Sequence, residues 1–462
     1  MSETNFASLD LKADLVKNLS YLGYRQMTPV QAQSLPLVLA GHDVIAQAKT
    51  GSGKTAAFGL GLLQKLDVKR FRIQSLVLCP TRELADQVAN EIRKLARGIH
   101  NIKVLTLCGG MPFGPQAGSL EHGAQIIVGT PGRIEDHLGR GTLKLKDVNM
   151  LVLDEADRML DMGFQASMDA IIGQIPGKRQ TLLFSATFPD QIQSMSERVM
   201  STPKMVKVAA VHAENSIEQH FYKVVDNRQR FTALRLLLMQ YAPESSVVFC
   251  NTKKEAQDVA DRLNQYGFSA LALHGDLEQR DRDLTLVRFS NKSISVLVAT
   301  DVAARGLDIA ALDAVINYHI AHDAEMHVHR IGRTGRAGHK GIACSLYSES
   351  ESHKVALLDT GVDPILDAEA LPPMTLLDKA AIQPVMATLR IDGGKKQKLR
   401  PGDILGALTA KNGIDGKQVG KIQVFDNWAY VAVNRKVARP ALQKLVQGKL
   451  KGRTFRARLI ET

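Results

Sequence analysis

The stretch that decides the fold is VIAQAKTGSGKTAAFGLGLLQKL, which runs from Val44 to Leu66. A short apolar run, a glycine-containing turn and a segment with helical spacing predict a strand, a loop and a helix. Glycine-loop amides and a helix start can wrap phosphates, whereas an incidental glycine turn would bind nothing. The strand-loop-helix context favours nucleotide binding by Ala48, Lys49, Thr50, Gly51, Ser52, Gly53, Lys54 and Thr55. Ala48 departs from the general pattern, which has glycine there.

An acidic segment, Asp154-Glu155-Ala156-Asp157, follows the apolar run that begins at Met150. Carboxylates at the carboxyl end of a parallel strand lie where open α/β sheets bind ligands. We therefore predict that Asp154 and the Thr55 hydroxyl hold Mg²⁺, that Lys54 reaches the β- and γ-phosphates, and that Glu155 takes a proton from the attacking water. The predicted cofactors are ATP and Mg²⁺.

Further apolar, β-rich runs alternate with helical patterns on both sides of this pair of motifs. They are Ser75–Pro80, Gln125–Pro131, Met150–Asp157 and Thr181–Thr187, then Ser246–Asn251, Ala270–Gly275, Val296–Asp301 and Ala314–Tyr318. Fully apolar strands that alternate with helices predict parallel sheets covered on both faces. We expect two tandem parallel α/β domains, residues 1–207 and 208–362. A linker of residues 363–384, which contains four prolines, follows them.

The remaining segment, Val385–Thr462, is called the tail here. It contains 17 Lys and Arg and 5 Asp and Glu, a net charge of +12, which equals the net charge of all 462 residues. The strand and helix patterns occur in the order βαββαβ, which predicts a small α+β domain of the kind found in RNA-recognition modules. Lys395, Lys396 and Lys398 lie beside a predicted strand end, and Trp428 and Tyr430 share one face of another strand. Stacking on these rings and phosphate contacts to the lysines would bind RNA. Alternatively, Trp428 belongs to the core and the charges only solubilise the domain.

Composition and compartment signals are ordinary for a soluble protein. Hydrophobic residues make up 45% and charged residues 23% of the chain, which excludes a disordered or collagen-like class. The four cysteines form no CxxC pair, no secretory signal is visible at the N-terminus, and no apolar run approaches the ~18 residues that span a bilayer. We expect a cytoplasmic protein without a membrane partner.

The ordered set of motifs resembles the DEAD-box RNA helicases over nearly all of Phe6–Ser345. Those motifs are Gly23–Gln31, the glycine loop, Pro80–Ala85, Gly109-Gly110, Thr130–Arg133, Asp154–Asp157, Ser185–Thr187, His274-Gly275, Gln279–Arg282, Val298–Ile309 and His329–Arg336. The resemblance implies that both α/β domains are RecA-like. It also implies that Ser185–Thr187 couples the nucleotide site to the RNA site.

The resemblance implies roles for individual residues. Phe6, Tyr24 and Gln31 would bind adenine and Asp308 the ribose, while His329, Arg333 and Arg336 would complete the catalytic set, the two arginines as fingers on the γ-phosphate. The residues that would hold the RNA backbone without selecting sequence are Pro80, Thr81, Arg82, Gly109, Gly110, Thr130, Pro131, Gly132, Arg133, Gln279, Arg282 and Thr300. DNA is not expected as a partner, because the 2′-OH would distinguish RNA.

The layout with this tail resembles the bacterial DbpA (YxiN-like) subgroup of that family. The resemblance implies that the tail binds a structured hairpin of 23S ribosomal RNA, and that the enzyme unwinds short RNA duplexes on pre-50S particles during large-subunit assembly. We expect a monomer. An ATP-timed RNA clamp or scaffold with little strand separation is the alternative, because its ATP chemistry would be the same. A DNA helicase and a P-loop kinase fit the full motif set less well.

Overall fold

The computed structural model describes residues 5–48, 51–208, 217–304, 312–335, 340–358, 367–410 and 413–460. Two compact units divide the chain: the first contains one β-sheet and the second contains two. No helix among the described residues is long and apolar enough to cross a membrane.

The first unit is a seven-stranded, all-parallel sheet with helices on both faces. Its strands are β1 Val44–Gln47, β2 Ser75–Leu78, β3 Val104–Leu107, β4 Ile126–Gly129, β5 Met150–Asp154, β6 Gln180–Ser185 and β7 Lys204–Lys207. Its helices are α1 Ala13–Tyr21, α2 Pro29–Leu39, α3 Lys54–Lys65, α4 Arg82–Leu95, α5 Phe113–Glu121, α6 Pro131–Gly139, α7 Ala156–Asp161, α8 Gln165–Ile172 and α9 Asp190–Val199. The strands lie in the order β3-β4-β2-β5-β6-β1-β7.

Alternation along each strand explains why this sheet is buried on both sides. In β2, Val77 packs into one hydrophobic cluster while its neighbours Leu76 and Leu78 pack into another on the opposite face. The predicted parallel architecture is thus confirmed. Two strands that the apolar runs did not predict, β3 and β7, lie at the two edges of the sheet. In β7 only Val206 of the four residues is buried.

The second unit begins with a six-stranded parallel sheet in the order β10-β11-β9-β12-β13-β8. Its strands are β8 Ile217–Lys223, β9 Ser246–Cys250, β10 Ala270–Leu273, β11 Val296–Thr300, β12 Ala314–Asn317 and β13 Gly341–Tyr347. Its helices are α10 Asn227–Tyr241, α11 Lys253–Gln265, α12 Gln279–Ser290, α13 Asp301–Ala304, α14 Ala324–Ile331 and α15 Ser352–Ala356. We call this part the second core, and the first unit the first core.

The predicted linker packs on the second core over its described part. Glu369 N donates to Phe221 O (2.8 Å), and Glu369 Oε1 lies 2.7 Å from His220 Nδ1. Leu371 packs against the apolar cluster beside α10. Gln383 Nε2 donates to Gly267 O (2.7 Å) in the turn after α11. The segment therefore connects the second core to the tail along a fixed path.

The tail is a four-stranded antiparallel sheet with two helices, in the predicted βαββαβ order. Its elements are β14 Met386–Ile391, α16 Pro401–Thr409, β15 Val419–Val424, β16 Ala429–Asn434, α17 Ala438–Gln447 and β17 Ala457–Ile460. The strands lie in the order β15-β16-β14-β17. Leu389, Val431 and Val433 pack with the helices on one face, which leaves the other face of the sheet for contacts outside the tail.

Candidate nucleotide and RNA sites

The glycine loop connects β1 to α3 as predicted. Gly51 and Gly53 have φ of 83° and 92°, the left-handed region in which a side chain would be strained. Lys54 is buried, and its Nζ donates to Ala48 O (2.8 Å), so the lysine closes over its own loop. Lys49 and Thr50 lie outside the described residues. The described part of the loop has the curvature and the ammonium group that nucleotide phosphates require.

Gln31 lies against the glycine loop. Its Nε2 donates to Gly53 O (3.0 Å), while its Oε1 accepts from Thr28 N (2.9 Å) as part of the N-terminal cap of α2. A Cβ at position 53 would lie 2.5 Å from Gln31 Nε2, so only glycine permits this approach. The amide oxygen and the amide nitrogen of this side chain, which is predicted to recognise adenine, thus both make hydrogen bonds that hold it at the phosphate loop.

Phe6 and Tyr24, the other two residues predicted to surround adenine, contact each other. Their ring centroids are 6.0 Å apart in an edge-to-face arrangement. The Tyr24 hydroxyl donates to Glu91 Oε1 (2.5 Å), and burial together with this bond raises the pKa of Tyr24 above its ordinary value. The hydroxyl therefore stays protonated and fixes the ring against α4.

The two acidic residues follow β5 at its carboxyl end. Asp154 is 3% exposed, and its Oδ1 accepts from Glu155 N (3.1 Å), while Glu155 has a left-handed backbone with φ of 50°. Burial raises the pKa of Asp154 to about 7, although the nearby Lys54 ammonium acts in the opposite direction. A buried carboxylate of this kind lacks sufficient positive charge around it, which a divalent cation would supply.

The donor set at this place suits Mg²⁺. The Asp154 carboxylate and the Thr55 hydroxyl are hard oxygen ligands. Among the described residues no group of three or more His, Cys, Asp or Glu could hold a metal ion. Mg²⁺ is commonly bound by one or two protein ligands and completed by water and substrate phosphates. The residues present therefore fit a nucleotide-bound Mg²⁺ better than a metal site built from protein alone.

Asp157 links the acidic segment to the Ser185–Thr187 motif. Its Oδ2 accepts from Ala186 N (3.1 Å), from Thr187 N (3.0 Å) and from Thr187 Oγ1 (3.0 Å), and its own amide donates to Ser185 Oγ (3.4 Å). No role was assigned to Asp157 from the sequence. The signal available in the sequence was its position as the second aspartate of the acidic segment, because roles had already been predicted for Asp154 and Glu155.

The order of strands separates two groups of loops on the carboxyl edge of the first core. The loops after β1, β5 and β6 carry the nucleotide residues, and these three strands are adjacent. The loops after β2, β3 and β4 carry the predicted RNA residues, and these strands are adjacent too. The nucleotide and RNA groups meet where β5 pairs with β2.

The three motifs of the first core that are predicted to bind RNA converge at Met111. Arg82 Nη2 lies 3.2 Å from Met111 Sδ, and Arg133 Nη1 donates to Met111 O (3.0 Å). Thr81 Oγ1 caps α4 by accepting from Leu84 N (3.2 Å). The remaining predicted residues of this group occupy the same three loops: Pro80, Gly109, Gly110, Thr130, Pro131 and Gly132.

In the second core, the structure brings together Gln279, Arg282 and Thr300. Gln279 and Arg282 lie in the first turn of α12, and Arg282 Nη2 donates to Ala303 O (2.8 Å), just beyond Thr300 at the end of β11. Gln279 Nε2 donates to Asp283 Oδ1 (2.7 Å). These residues form a second group of polar side chains at the carboxyl edge of a parallel sheet.

Arg330, within the predicted catalytic segment, is the most constrained residue of the second core. It is 1% exposed, and Nε and Nη2 donate to the two carboxylate oxygens of Asp301 (2.6 and 2.7 Å). Nη1 donates to His319 O (2.6 Å), and Asn251 and Asn317 accept longer bonds. Arg330 therefore ties together the ends of β9, β11 and β12. No role was predicted for Arg330 from the sequence, because nothing local distinguishes it from Arg333.

Arg333 follows α14 in a turn that is fixed by backbone contacts. Leu312 N donates to Arg333 O (3.1 Å), and the Thr334 hydroxyl donates to Leu312 O. A Cβ on Gly341 would lie 2.2 Å from Gly335 N, which shows how closely β13 approaches this turn. His329 lies in the last turn of α14. Arg336 and Asp308 lie outside the described residues.

The tail presents its predicted RNA residues in two ways. Lys395 and Lys396 are exposed on a short loop whose amides donate to Phe425 O (2.8 Å) and Asp426 O (3.0 Å), and Lys398 follows them. Trp428 is half-buried, and Arg390 Cζ lies 5.3 Å from its ring centroid. Tyr430 shares the face of Trp428 but is only 5% exposed, so its ring has no open face on which a base could stack.

Three family models match the chain in sequence order. They are described as DEAD/DEAH box helicase (residues 28–195), helicase conserved C-terminal domain (229–338) and DbpA RNA binding domain (388–459). The ATP-dependent RNA helicase DbpA of Escherichia coli K12 is 54% identical over 459 residues, which cover 99% of this chain and 100% of that protein. The DEAD-box ATP-dependent RNA helicase CshA of Bacillus subtilis is 45% identical over 77% of this chain and 72% of its own length.

A solved structure shows a corresponding fold. Dbp5 of Saccharomyces cerevisiae, bound to RNA and ADP BeF3, superimposes with a TM-score of 0.71 at 28% identity and covers 82% of this chain and 100% of that chain. The parallel sheets described above and the antiparallel tail thus agree with the family models matched to the same residues.

Proposed function

Because the chain belongs to the DEAD-box ATP-dependent RNA helicases, we propose that it uses ATP to separate short RNA duplexes locally. The observation that supports this proposal is the arrangement of loops at the carboxyl edge of the first-core sheet. The loops predicted to bind the nucleotide and those predicted to bind RNA form two adjacent groups along one sheet there, and Asp157 bonds the acidic segment directly to Ser185–Thr187. A change at the nucleotide can therefore reach Ser185–Thr187 through short, defined contacts, beside the strand pair β5 and β2 at which the two groups of loops meet.

In the proposed ATPase step, Thr55 and Asp154 would hold Mg²⁺, whose charge would neutralise that of the phosphates. Lys54 leaves Ala48 O and contacts the β- and γ-phosphates, while Glu155 accepts the proton of the attacking water. Arg333, together with Arg336, stabilises the charge on the transferring phosphoryl group, and His329 supports their segment. Gln31 recognises adenine, with Phe6 and Tyr24 beside the base and Asp308 on the ribose.

The proposed substrate is RNA held by its backbone. The polar groups in the two cores are hydroxyls, arginines and helix starts, which bind phosphates and sugars without selecting sequence. RNA is preferred over DNA because its 2′-OH offers an additional donor and acceptor. We further propose that the enzyme acts as a monomer in the cytoplasm.

We propose that the tail selects the RNA, namely a structured hairpin of 23S ribosomal RNA on pre-50S particles during large-subunit assembly. Two features of this chain support a selecting role. The entire net positive charge lies in the tail, and Lys395, Lys396 and Lys398 project from a loop fixed by backbone hydrogen bonds. A fixed cationic loop suits a folded RNA, whose phosphates have fixed positions.

The test compares RNA-stimulated ATPase in the wild type and in the triple variant Lys395→Glu, Lys396→Glu, Lys398→Glu. We expect the wild type to respond more strongly to 23S ribosomal RNA than to poly(U), and the variant to lose that preference while it keeps the poly(U) response. Lys178→Glu serves as the control. Lys178 is exposed in the turn before β6, at the amino edge of the first-core sheet, whereas the predicted nucleotide and RNA loops lie at the carboxyl edge. If the triple variant prefers 23S ribosomal RNA over poly(U) as strongly as the wild type does, the selecting role of the tail is refuted.

A strand-displacement assay separates the proposed helicase from an ATP-timed clamp. We expect release of a short RNA strand from a 23S-derived duplex to require ATP in the wild type. Displacement that is no faster with ATP than without it, in a protein that hydrolyses ATP normally, would leave the clamp as the function.

A further inference from the structure

Half of the open face of the tail sheet is docked on the second core. Thr388, fully buried, accepts from Asn291 Nδ2 (3.1 Å) and donates to Ser293 Oγ (2.8 Å), just after α12. The Lys421 ammonium donates to the hydroxyl of Ser290. Ala432, opposite Thr388 in the sheet, is 1% exposed although it faces away from the tail helices. A polar, hydrogen-bonded contact of this kind fixes orientation as well as proximity.

The other half of the same face is accessible chiefly along its outer row and at one end of its inner row. Strand pairing places Gln423, Tyr430, Arg390 and Arg458 in one row across all four strands. The next row outward contains Phe425, Trp428, Asp392 and Arg456, as the bonds Phe425 N to Trp428 O (2.8 Å) and Asp392 N to Arg456 O (2.9 Å) show. Arg456 and Arg458 are exposed, and Phe425 and Trp428 are half-buried. This half of the sheet therefore offers rings and cations together.

Helix α12 connects the docked half to the accessible half. Its last residue, Ser290, contacts Lys421, whereas Arg280 and Asp283 of its first turns are charged neighbours of Tyr430. That first turn also contains Gln279 and Arg282, the proposed RNA-backbone residues of the second core. An RNA strand held there ends beside the accessible rows of the tail.

An unpaired acceptor marks the same rows. Gln423 Oε1 is buried without a hydrogen-bond partner among the described residues. Two of the local carboxylates are already engaged: Asp392 pairs with Arg390 (3.1 Å), and Asp283 accepts from Gln279. Phosphates would meet the exposed Arg280, Arg456 and Arg458. A rotation of the Gln423 amide would let its oxygen accept from a base amino group or a ribose hydroxyl.

We propose that the first turn of α12 and the accessible rows of the tail sheet form one continuous binding surface for single-stranded RNA. We call it the junction surface; its members are Gln279, Arg280, Arg282, Arg390, Gln423, Phe425, Trp428, Arg456 and Arg458. The strand held by the second core continues onto the tail, where a base stacks on Trp428. The inference rests on the proposed RNA role of Gln279 and Arg282, and the docking at Thr388 keeps the two parts in register.

The test measures how affinity depends on RNA length. Labelled oligo(U) of about 6 to 14 nucleotides, a range within common single-strand site sizes, is titrated into the full chain with Mg²⁺ and a non-hydrolysable ATP analogue. The wild type should gain affinity beyond the length at which the cores are filled. Trp428→Ala should weaken the affinity for the longer oligomers about tenfold, because one base–aromatic stack contributes ~1–3 kcal/mol. Phe71→Ala, which removes an exposed ring before β2, should leave the gain unchanged.

A second variant addresses the docking. Thr388→Arg places a large cation at a fully buried position and should undock the tail, so the length gain should fall as in Trp428→Ala while short oligo(U) still binds. With 4-thiouridine oligomers, the wild type should crosslink in both the α12 peptide and the Trp428 peptide. A gain retained in Trp428→Ala, or no gain in a wild type that binds short oligo(U), overturns the junction surface. A wild type that binds no RNA at any length with the analogue overturns the proposed function instead.

Discussion

Replacing Arg330 with methionine removes the guanidinium that joins three strand ends in the second core. Methionine keeps the volume of the stem, so the change acts mainly on charge and hydrogen bonds. The Asp301 carboxylate loses two short bonds, and His319 O loses its donor. Asp301 is left as a buried, uncompensated anion with 13% of its side chain exposed.

The expected destabilisation follows from that geometry. Removal of one partner from a buried ion pair costs ~3–5 kcal/mol, chiefly through the charge that remains. Partial exposure lets water reach Asp301, which places the effect near the lower end, about 3 kcal/mol. Asp301→Asn in the same chain removes the stranded charge, so the double variant should recover part of the loss.

Hydrogen–deuterium exchange in the full chain measures this effect locally, since unfolding of several domains is not two-state. The opening free energy of β9, β11 and β12 should fall by about 3 kcal/mol, while β1 and β5 of the first core serve as an internal reference. Arg228→Met removes an exposed arginine of the same core and should change the values by less than about 0.5 kcal/mol. A fall below about 1 kcal/mol in Arg330→Met, within the range of ordinary substitutions, would refute the role of Arg330 as the tie between these strands.

Three further outcomes are expected. Glu155→Gln should bind ATP but nearly abolish turnover, because an amide cannot accept the proton; near-normal hydrolysis in a coupled ATPase assay would remove Glu155 as the base. Asp157→Asn should reduce ATP-dependent strand displacement more than ATPase, because the amide cannot accept all three bonds from Ala186 and Thr187; equal losses in the two assays would argue against a coupling role. The pKa of Glu351 is affected by burial, which raises it, but hydrogen bonds from Arg230 and Ser348 prevail and lower it below the ordinary value of 4.5. The stability from this group is therefore present above about pH 4.5 and is lost as pH falls through the lowered pKa, so Glu351→Gln should flatten the acid limb of an exchange-monitored pH titration of the second core.

Much of the candidate site was predictable from local sequence. The glycine loop, the acidic segment and the βαββαβ order each depend on residues close together in the chain, where backbone geometry and apolar periodicity are strong signals. The edge strands β3, β7 and β8 were not predicted, and neither was β13, which lies next to β8. They lie outside the most apolar central strands, and β7 and β8 carry mixed, partly exposed residues.

Local sequence could not distinguish the environments of similar residues within one motif. Arg330 and Arg333 are three positions apart, yet Arg330 is buried in a network that includes Asn251, Asp301 and His319. Likewise Trp428 and Tyr430 share a strand face, but only Tyr430 is buried, with Arg280 and Asp283 of α12 as charged neighbours. In both cases the partners are remote in sequence, so local pattern carries no information about them.

The sequence by itself determined the identity of the chemical groups: the phosphate loop, the carboxylates at a strand end, the arginines and the cationic tail. The tertiary structure decided their grouping. Strand order placed the nucleotide loops beside one another and the RNA loops beside them, and the docking of Thr388 on Asn291 and Ser293 placed the tail against α12. The physical reason is the separation along the chain of the residues that interact. Hydrogen bonds and apolar periodicity within a few residues specify an element, whereas burial and charge pairing depend on which elements meet.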